Sequence, residues 1–198
     1  MSRHMDKNLR PKISIVIPFH WMKNWQGFMN QCLASIEKQT FTDYEIILTK
    51  RGLMAENTNK AINCAKGELI KILYLDDQLA HDHALNDIVE AMEGKQWLIT
   101  GCDTNEYPFY TDDIHTGNNK LGSPSCLTIR NDNPQLFDEN LSWLLDCCYY
   151  KRMYDLYGEP KILDGVHVVM GVGDHQVTNL LPAEEKEAEY IYMNKKYG

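Results

Sequence analysis

Apolar and polar positions come in alternating blocks along this chain. Ile13-Ser14-Ile15-Val16-Ile17 is a short β-branched run ended by Pro18, the mark of a buried strand. Phe28, Cys32 and Ile36 then recur at helical spacing as far as a turn at residues 40–43. Residues 44–49 predict a second strand. Residues 55–65 predict a second helix, with Gly67 past its last turn as a C-terminal stop. Residues 69–75 predict a third strand that runs straight into Asp76-Asp77. Leu85, Ile88, Val89 and Met92 mark a third helix stopped by Gly94, and residues 97–101 a fourth strand. This β-α-β-α-β-α-β order predicts an α/β fold: a doubly wound, mainly parallel sheet with right-handed crossovers, flanked by helices.

The second half changes character. Residues 103–124 are polar, rich in Gly and Asn, and without period; so long a loop in a compact domain is often functional. Residues 126–129 predict a strand, 141–157 a helix closed by Gly158 and Pro160, 166–172 a further strand, and 183–197 a charged terminal helix. Residues 1–10 are polar and are expected to be disordered. His4-Met5 has the look of a cloning scar, so the segment is set aside from the fold. There is no internal repeat.

Composition narrows the possibilities. The length of 198 residues fits one domain, expected over residues 11–198. Twenty Lys and Arg against 28 Asp and Glu leave a net charge of −8, which disfavours nucleic acid and anionic membranes as partners. Six cysteines are scattered with no C-x-x-C pair, as expected of reduced thiols in the cytoplasm. No apolar run approaches the ~18 residues of a membrane span, and no secretory leader is recognised.

In open α/β sheets ligands bind beyond the carboxyl ends of the strands. That rule selects Pro18-Phe19-His20, Lys50-Arg51-Gly52 and Asp76-Asp77. Adjacent carboxylates repel each other unless solvent or a cation relieves them. A hard divalent cation takes oxygen ligands, typically one or two carboxylates plus substrate phosphates. The competing reading is a plain solvent-exposed turn.

Order and spacing decide between the two. Residues 11–20, Pro-Lys-Ile-Ser-Ile-Val-Ile-Pro-Phe-His, resemble the opening of the family 2 inverting glycosyltransferases of GT-A fold. Cys32-Leu33-Ala34-Ser35-Ile36-Glu37-Lys38-Gln39-Thr40 resembles that family's "slxSixxQT" helix end, and Asp43-Tyr44-Glu45-Ile46-Ile47 its second strand. Asn59, followed eight residues later by Gly67-Glu68, matches its "RNxGixxAxGE" segment. Asp76-Asp77 falls where the family carries its metal-binding "DxD". The resemblance covers residues 11–100 and returns at Phe137-Asp138-Glu139 and from Asp146 to Arg152.

The resemblance implies a single GT-A domain whose half at 11–101 binds a nucleotide-sugar, and whose half at 102–198 holds acceptor, catalytic base and terminal helix. Pro18, Phe19 and His20, with Asn59, would border the donor nucleotide. Asp76 and Asp77 would bind donor diphosphate through Mn²⁺ or Mg²⁺, which neutralises charge on the leaving group. His175, in Gly173-Asp174-His175-Gln176, would complete the metal or phosphate site. Asp146, six residues before Arg152, would be the base that takes the acceptor's hydroxyl proton. Ser123 and Ser125, at the end of the long loop, are weaker acceptor candidates beside the reading of a plain turn.

Three departures stand out. The first Asp of "DxD" is Tyr74, the Glu before the base is Leu145, and the strand-end "DDGS" that reads uracil is replaced by Lys50-Arg51-Gly52. Cations cannot accept the hydrogen bonds a carboxylate accepts, so Lys50 and Arg51 meet phosphate or leave the base to backbone. A UDP-sugar is the family's usual donor, but here the base stays open. The acceptor class, a glycan or another hydroxyl, extends to modified bases of phage DNA. A catalytically inactive sugar-nucleotide-binding module is the rival reading, and a nucleotidyltransferase a weaker one. His81 and His83, two residues apart, are rejected as a metal pair, and Cys147-Cys148 are read as packing residues.

Overall fold

A computed structural model describes residues 10–50, 52–174 and 176–198. The expected disorder of the N-terminal segment, apart from Arg10, and the roles expected of Arg51 and His175 lie outside the described residues. Among the described residues seven strands form one sheet: β1 (Ile13–Pro18), β2 (Tyr44–Thr49), β3 (Leu69–Ile72), β4 (Gln78–Leu79), β5 (Trp97–Cys102), β6 (Leu127–Arg130) and β7 (Lys161–Val169). Their order is β2-β1-β3-β6-β5-β7-β4. Helices α1 (Trp25–Glu37), α2 (Met54–Cys64) and α3 (Ala84–Ala91) fill the early crossovers. Helix α4 (Leu145–Tyr157), the single turn α5 (Val177–Leu180) and α6 (Ala183–Tyr197) belong to the second half.

The apolar runs of β1, β3 and β5 are buried along their whole length, as strands covered on both faces must be. β2, on one edge, buries far less. β1 pairs in parallel with β2 and β3, and β5 with β7. The mainly parallel α/β sheet read from the sequence is therefore present, with one rearrangement. β6 lies antiparallel between β3 and β5, so these two co-directed strands are separated. The short edge strand β4, antiparallel to β7, has no periodic signal at two residues.

Several boundaries move because side chains capture backbone groups. β3 ends at Ile72, three residues early, and the Tyr74 N–H goes to Ser125 Oγ at 2.8 Å. β7 begins five residues before the expected position and stops at Val169. Beyond it the Met170 N–H binds Asp103 Oδ1 and the Gly171 N–H binds Asp77 Oδ1, so carboxylates replace strand partners. α4 begins four residues late because the N–H groups of Ser142, Trp143 and Leu144 all donate to the Glu189 carboxylate.

Two glycines that the sequence treats alike differ physically. Gly94 has φ +67° and open space around it, a left-handed stop after α3. Gly67 is no left-handed cap. A Cβ there would lie 2.5 Å from the Ser14 backbone nitrogen, and the Gly67 N–H donates to Ser14 Oγ at 2.8 Å. Close approach of the α2–β3 turn to β1 is its requirement. Gly67→Ala is expected to cost about 1–3 kcal/mol, the usual range for overpacking, and Gly94→Ala about 1–2 kcal/mol through its left-handed backbone alone. In urea denaturation Gly94→Asn should recover part of that loss, since Asn tolerates the left-handed region, whereas Gly67→Asn should lose more than Gly67→Ala; the same response at both positions contradicts the distinction.

Candidate functional site

Five strands point the same way, so their carboxyl ends share one edge of the sheet, and the opposed β6 and β4 begin there. A cleft of about 190 Å³ opens at this edge. It is lined by Tyr74, Asp76 and Asp77 after β3, Ser123 and Pro124 before β6, and Ser142, Trp143, Leu145 and Asp146 at the start of α4. Met170 and Gly171 after β7, and Gln176 to Thr178 around α5, close it. Asp76 and Asp146, 70 positions apart in sequence, thus face one space.

Asp77 is only 2% exposed. Burial pushes its carboxyl up to about 7, with the Asp76 charge adding to the shift; Ser125, the Gly171 N–H and Lys71 act against it. Lys71 is fully buried beneath, its ammonium donating to the Ser125 carbonyl, and burial pulls it down to about 8. Gly171 presses onto the pair from β7: a Cβ there would stand 2.4 Å from the Asp76 carbonyl oxygen. Two carboxylates held together beside open space form a hard-oxygen donor set of the kind a divalent cation occupies.

Asp146 sits in the first turn of α4, where its charge favours the helix dipole. Oδ1 accepts from the Cys147 N–H at 2.7 Å and Oδ2 from the Asn119 amide at 2.8 Å. Burial nevertheless raises its pKa above the ordinary carboxylate range. It therefore stays a comparatively basic carboxylate in the cleft wall.

Other expected site residues separate. Ser123 lines the cleft and its Oγ accepts from the Ser125 N–H at 3.1 Å, capping the turn before β6. Ser125 is wholly buried, bonded to Tyr74 and Asp77, and does not face an acceptor. Asn59 is also turned away from the cleft: its amide donates to the Phe137 carbonyl and Glu139, and its carbonyl accepts from the Phe137 N–H. It pins the loop before α4. Pro18 ends β1 inside the sheet, and Phe19 joins an aromatic group with Trp21 and Trp25. The Lys50 ammonium lies 3.5 Å from the centre of the Trp21 ring. Burial and Lys50 together lower the His20 pKa.

No family model and no curated protein sequence matches this chain. Solved structures do. The 1–349 fragment of Staphylococcus aureus TarS in complex with UDP superposes with TM-score 0.64 at 16% identity, over 94% of this chain and 70% of that one. The mannosyltransferase PcManGT from Pyrobaculum calidifontis, with GDP-Man and Mn²⁺, gives 0.66 at 11%, over 96% and 66%. Glucosyl-3-phosphoglycerate synthase from Mycobacterium tuberculosis, with Mn²⁺, UDP and glucosyl-3-phosphoglycerate, gives 0.61 at 12%, over 93% and 77%. The fold is that of the GT-A glycosyltransferases. The chain spans 60% of another TarS 1–349 structure and 42% of the longer TarS chain. No helix among the described residues is long and apolar enough to cross a membrane.

Within this GT-A fold, three supporting residues escaped sequence reasoning. Asn119 fixes Asp146 from the long polar loop and also ties that loop to itself through Leu121 and Gly122. Glu189 on α6 collects three N–H groups, at 2.7–2.9 Å, from the segment that lines the cleft before Asp146. Gly171 locks β7 over Asp76-Asp77. The loop length pointed to Asn119's neighbourhood; the others gave no signal, since a Glu in a charged helix looks like surface.

The raised Asp77 pKa fixes a sign. The folded metal-free chain keeps a proton up to about pH 7 that the unfolded chain releases near pH 4. Asp77's contribution therefore lowers stability as pH rises between those values and is constant above them. Chemical denaturation at pH 5 and pH 8 is expected to show a larger loss in wild type than in Asp77→Asn; equal losses contradict the buried, perturbed carboxyl.

Proposed function

We propose that this chain is a metal-dependent glycosyltransferase that moves a sugar from a nucleotide-sugar to an acceptor hydroxyl with inversion. The observation carrying this reading is the convergence of Asp76, Asp77 and Asp146 on one cleft of a GT-A fold. The neighbours with UDP, GDP-Man and Mn²⁺ support a sugar nucleotide and a divalent metal.

Asp76 is the principal metal ligand and the buried Asp77 its partner, with Mn²⁺ or Mg²⁺ as the ion. Bound there, the ion neutralises charge on the departing nucleoside diphosphate. Asp77 must lose its proton for this role, so metal affinity rises with pH up to about 7. His175 is kept as a further ligand by its place after β7, and Arg51 as a phosphate contact. Asp146 accepts the acceptor's hydroxyl proton as that oxygen attacks the anomeric carbon and the bond to phosphate breaks. A carboxylate with two hydrogen bonds retains lone pairs for the incoming proton. Ser123 lies within the same cleft for orienting the acceptor.

Pro18, Phe19 and His20 flank the nucleotide end. Lys50, engaged on Trp21, makes that end unlike a carboxylate-lined uracil pocket, so a UDP-sugar is the first donor to test and GDP-sugars the next. A glycan hydroxyl is the favoured acceptor, and the cytoplasm the favoured compartment. A binding module without catalysis draws on Tyr74 in the cleft wall and Leu145 buried in the core. Hydrolysis or transfer from a nucleotide-sugar by the purified protein separates the two.

Asp76→Asn is expected to abolish Mn²⁺-dependent donor binding in calorimetry, and undiminished affinity contradicts the metal assignment. Asp146→Asn is expected to leave donor affinity within a few-fold and lower turnover by about 10²–10⁴. Wild-type turnover in that variant removes Asp146 from the chemistry. Asn119→Ala deletes a hydrogen bond to the carboxylate form of Asp146, so the acid limb of the pH–rate profile should move to higher pH. An unmoved limb shows that Asn119 does not tune the base.

A further inference from the structure

A second cluster lies outside the cleft. His81 follows β4, Asp87 belongs to α3 and His167 to β7. Their ligand atoms all lie within 4.8 Å of one another. Asp87 Oδ2 stands 3.5 Å from His167 Nε2 and 3.9 Å from His81 Nε2. None of the three lines the cleft. The sequence hides the cluster because its members are 6 and 80 residues apart; the rejection of His81 with His83 stands, and the true neighbour is His167.

The hydrogen bonding of His167 is informative. Its Nδ1 meets the Gly165 carbonyl at 3.2 Å, and a carbonyl only accepts, so Nδ1 carries the proton. Nε2 of a neutral ring then presents a lone pair to the Asp87 carboxylate. The two repel unless a second proton or a metal ion lies between them. His167 is 6% exposed, and burial, with His81 nearby, favours its neutral form. Support of a ligating imidazole through its other nitrogen by a backbone carbonyl is the usual outer shell of a metal-bound His.

We propose that His81, Asp87 and His167 form a binding site for a borderline transition-metal ion such as Zn²⁺, separate from the cleft. Two imidazoles and a carboxylate suit Zn²⁺, Co²⁺ or Ni²⁺, whereas Mg²⁺ prefers oxygen alone. Tetrahedral bonds of about 2.0–2.1 Å put ligand atoms ~3.3 Å apart. The two separations to Asp87 are near that value, and the partly exposed His81 ring, edge-on to the His167 ring at 5.1 Å, can turn to close the third. The backbone is already fixed: the Ala80 N–H donates to the His167 carbonyl, and the Gln39 amide to the His81 carbonyl. Gln39 Oε1 accepts the Leu85 N–H at the start of α3. An ion here would staple β4, α3 and β7 and leave a position for water. β4 follows Asp76-Asp77 and β7 leads to Gly171, so the staple would steady two elements that frame the cleft.

The test is a Zn²⁺ titration by calorimetry, under reductant, in an Asp76→Asn, Cys64→Ser background that removes the cleft's principal ligand and the exposed thiol. One Zn²⁺ per chain and a raised Tm are expected. Asp87→Asn and His81→Gln, both with accessible side chains, should each weaken Zn²⁺ binding about tenfold or more, since even loss of a ligand's outer support costs 10–100-fold. Both variants should keep the parent's circular dichroism. With Co²⁺ the parent should show visible d–d bands that both variants lose. No Zn²⁺ binding by the parent, or equal affinity in the parent and either folded variant, overturns the site. Because the cleft's principal ligand is absent throughout, failure here leaves the glycosyltransferase reading standing, and failure of that reading leaves this one.

Discussion

The structure turns on the burial of Asp77. A carboxyl almost without solvent at the end of a central strand must be held from several sides, because an unpaired buried charge costs several kcal/mol. Here the partners come from three places: Ser125 ahead of β6, the Gly171 N–H after β7, and Lys71 within β3 itself. Satisfying that one group brings the beginning of β6 and the end of β7 to the carboxyl end of β3. It also explains why β6 runs antiparallel in the middle of the sheet. Only an opposed strand there brings its leading turn, with Ser123 and Ser125, to the edge where the other strands end.

The second half of the chain then serves to aim Asp146. The residue is set by the start of α4, and that start is set by Glu189 gathering three backbone N–H groups from one carboxylate. α6 is itself tethered by Lys196 to Asp138 at 2.7 Å, which holds the Asp138 carboxyl well below its ordinary range. The polar loop at 103–124 contributes Asn119 from the other side. A carboxylate held by a helix terminus and a loop amide, yet kept basic by burial, is positioned to accept a proton rather than to form an ion pair.

How much of this was legible in the sequence follows from the range of each interaction. β1, α1, β2, α2 and β5 are announced by local periodicity, and Asp76-Asp77 by its place at a strand end. The direction of β6 was not legible, since a strand of four residues, Leu127-Thr128-Ile129-Arg130, reads alike in either direction. The late start of α4 and the early end of β7 depend on Glu189, Asp103 and Asp77, which lie 45 to 94 residues from the groups they capture. Asn59 matched a family segment but spends its amide on the Phe137–Glu139 loop, so motif position and side-chain use parted there. The His81–Asp87–His167 cluster exists only once β4 has paired with β7.

The central claim is that one cleft presents Asp76 and Asp77 to a metal-bound diphosphate with Asp146 opposite. The most direct measurement is an anomalous difference map at the manganese edge from crystals grown with Mn²⁺ and UDP or GDP. The account predicts a manganese peak bonded to Asp76 carboxylate oxygen at about 2.0–2.3 Å, the range of hard divalent ions on oxygen, with nucleotide density reaching toward Phe19 and Trp21. Nucleotide bound elsewhere on the chain, or manganese without contact to Asp76 or Asp77, would contradict it.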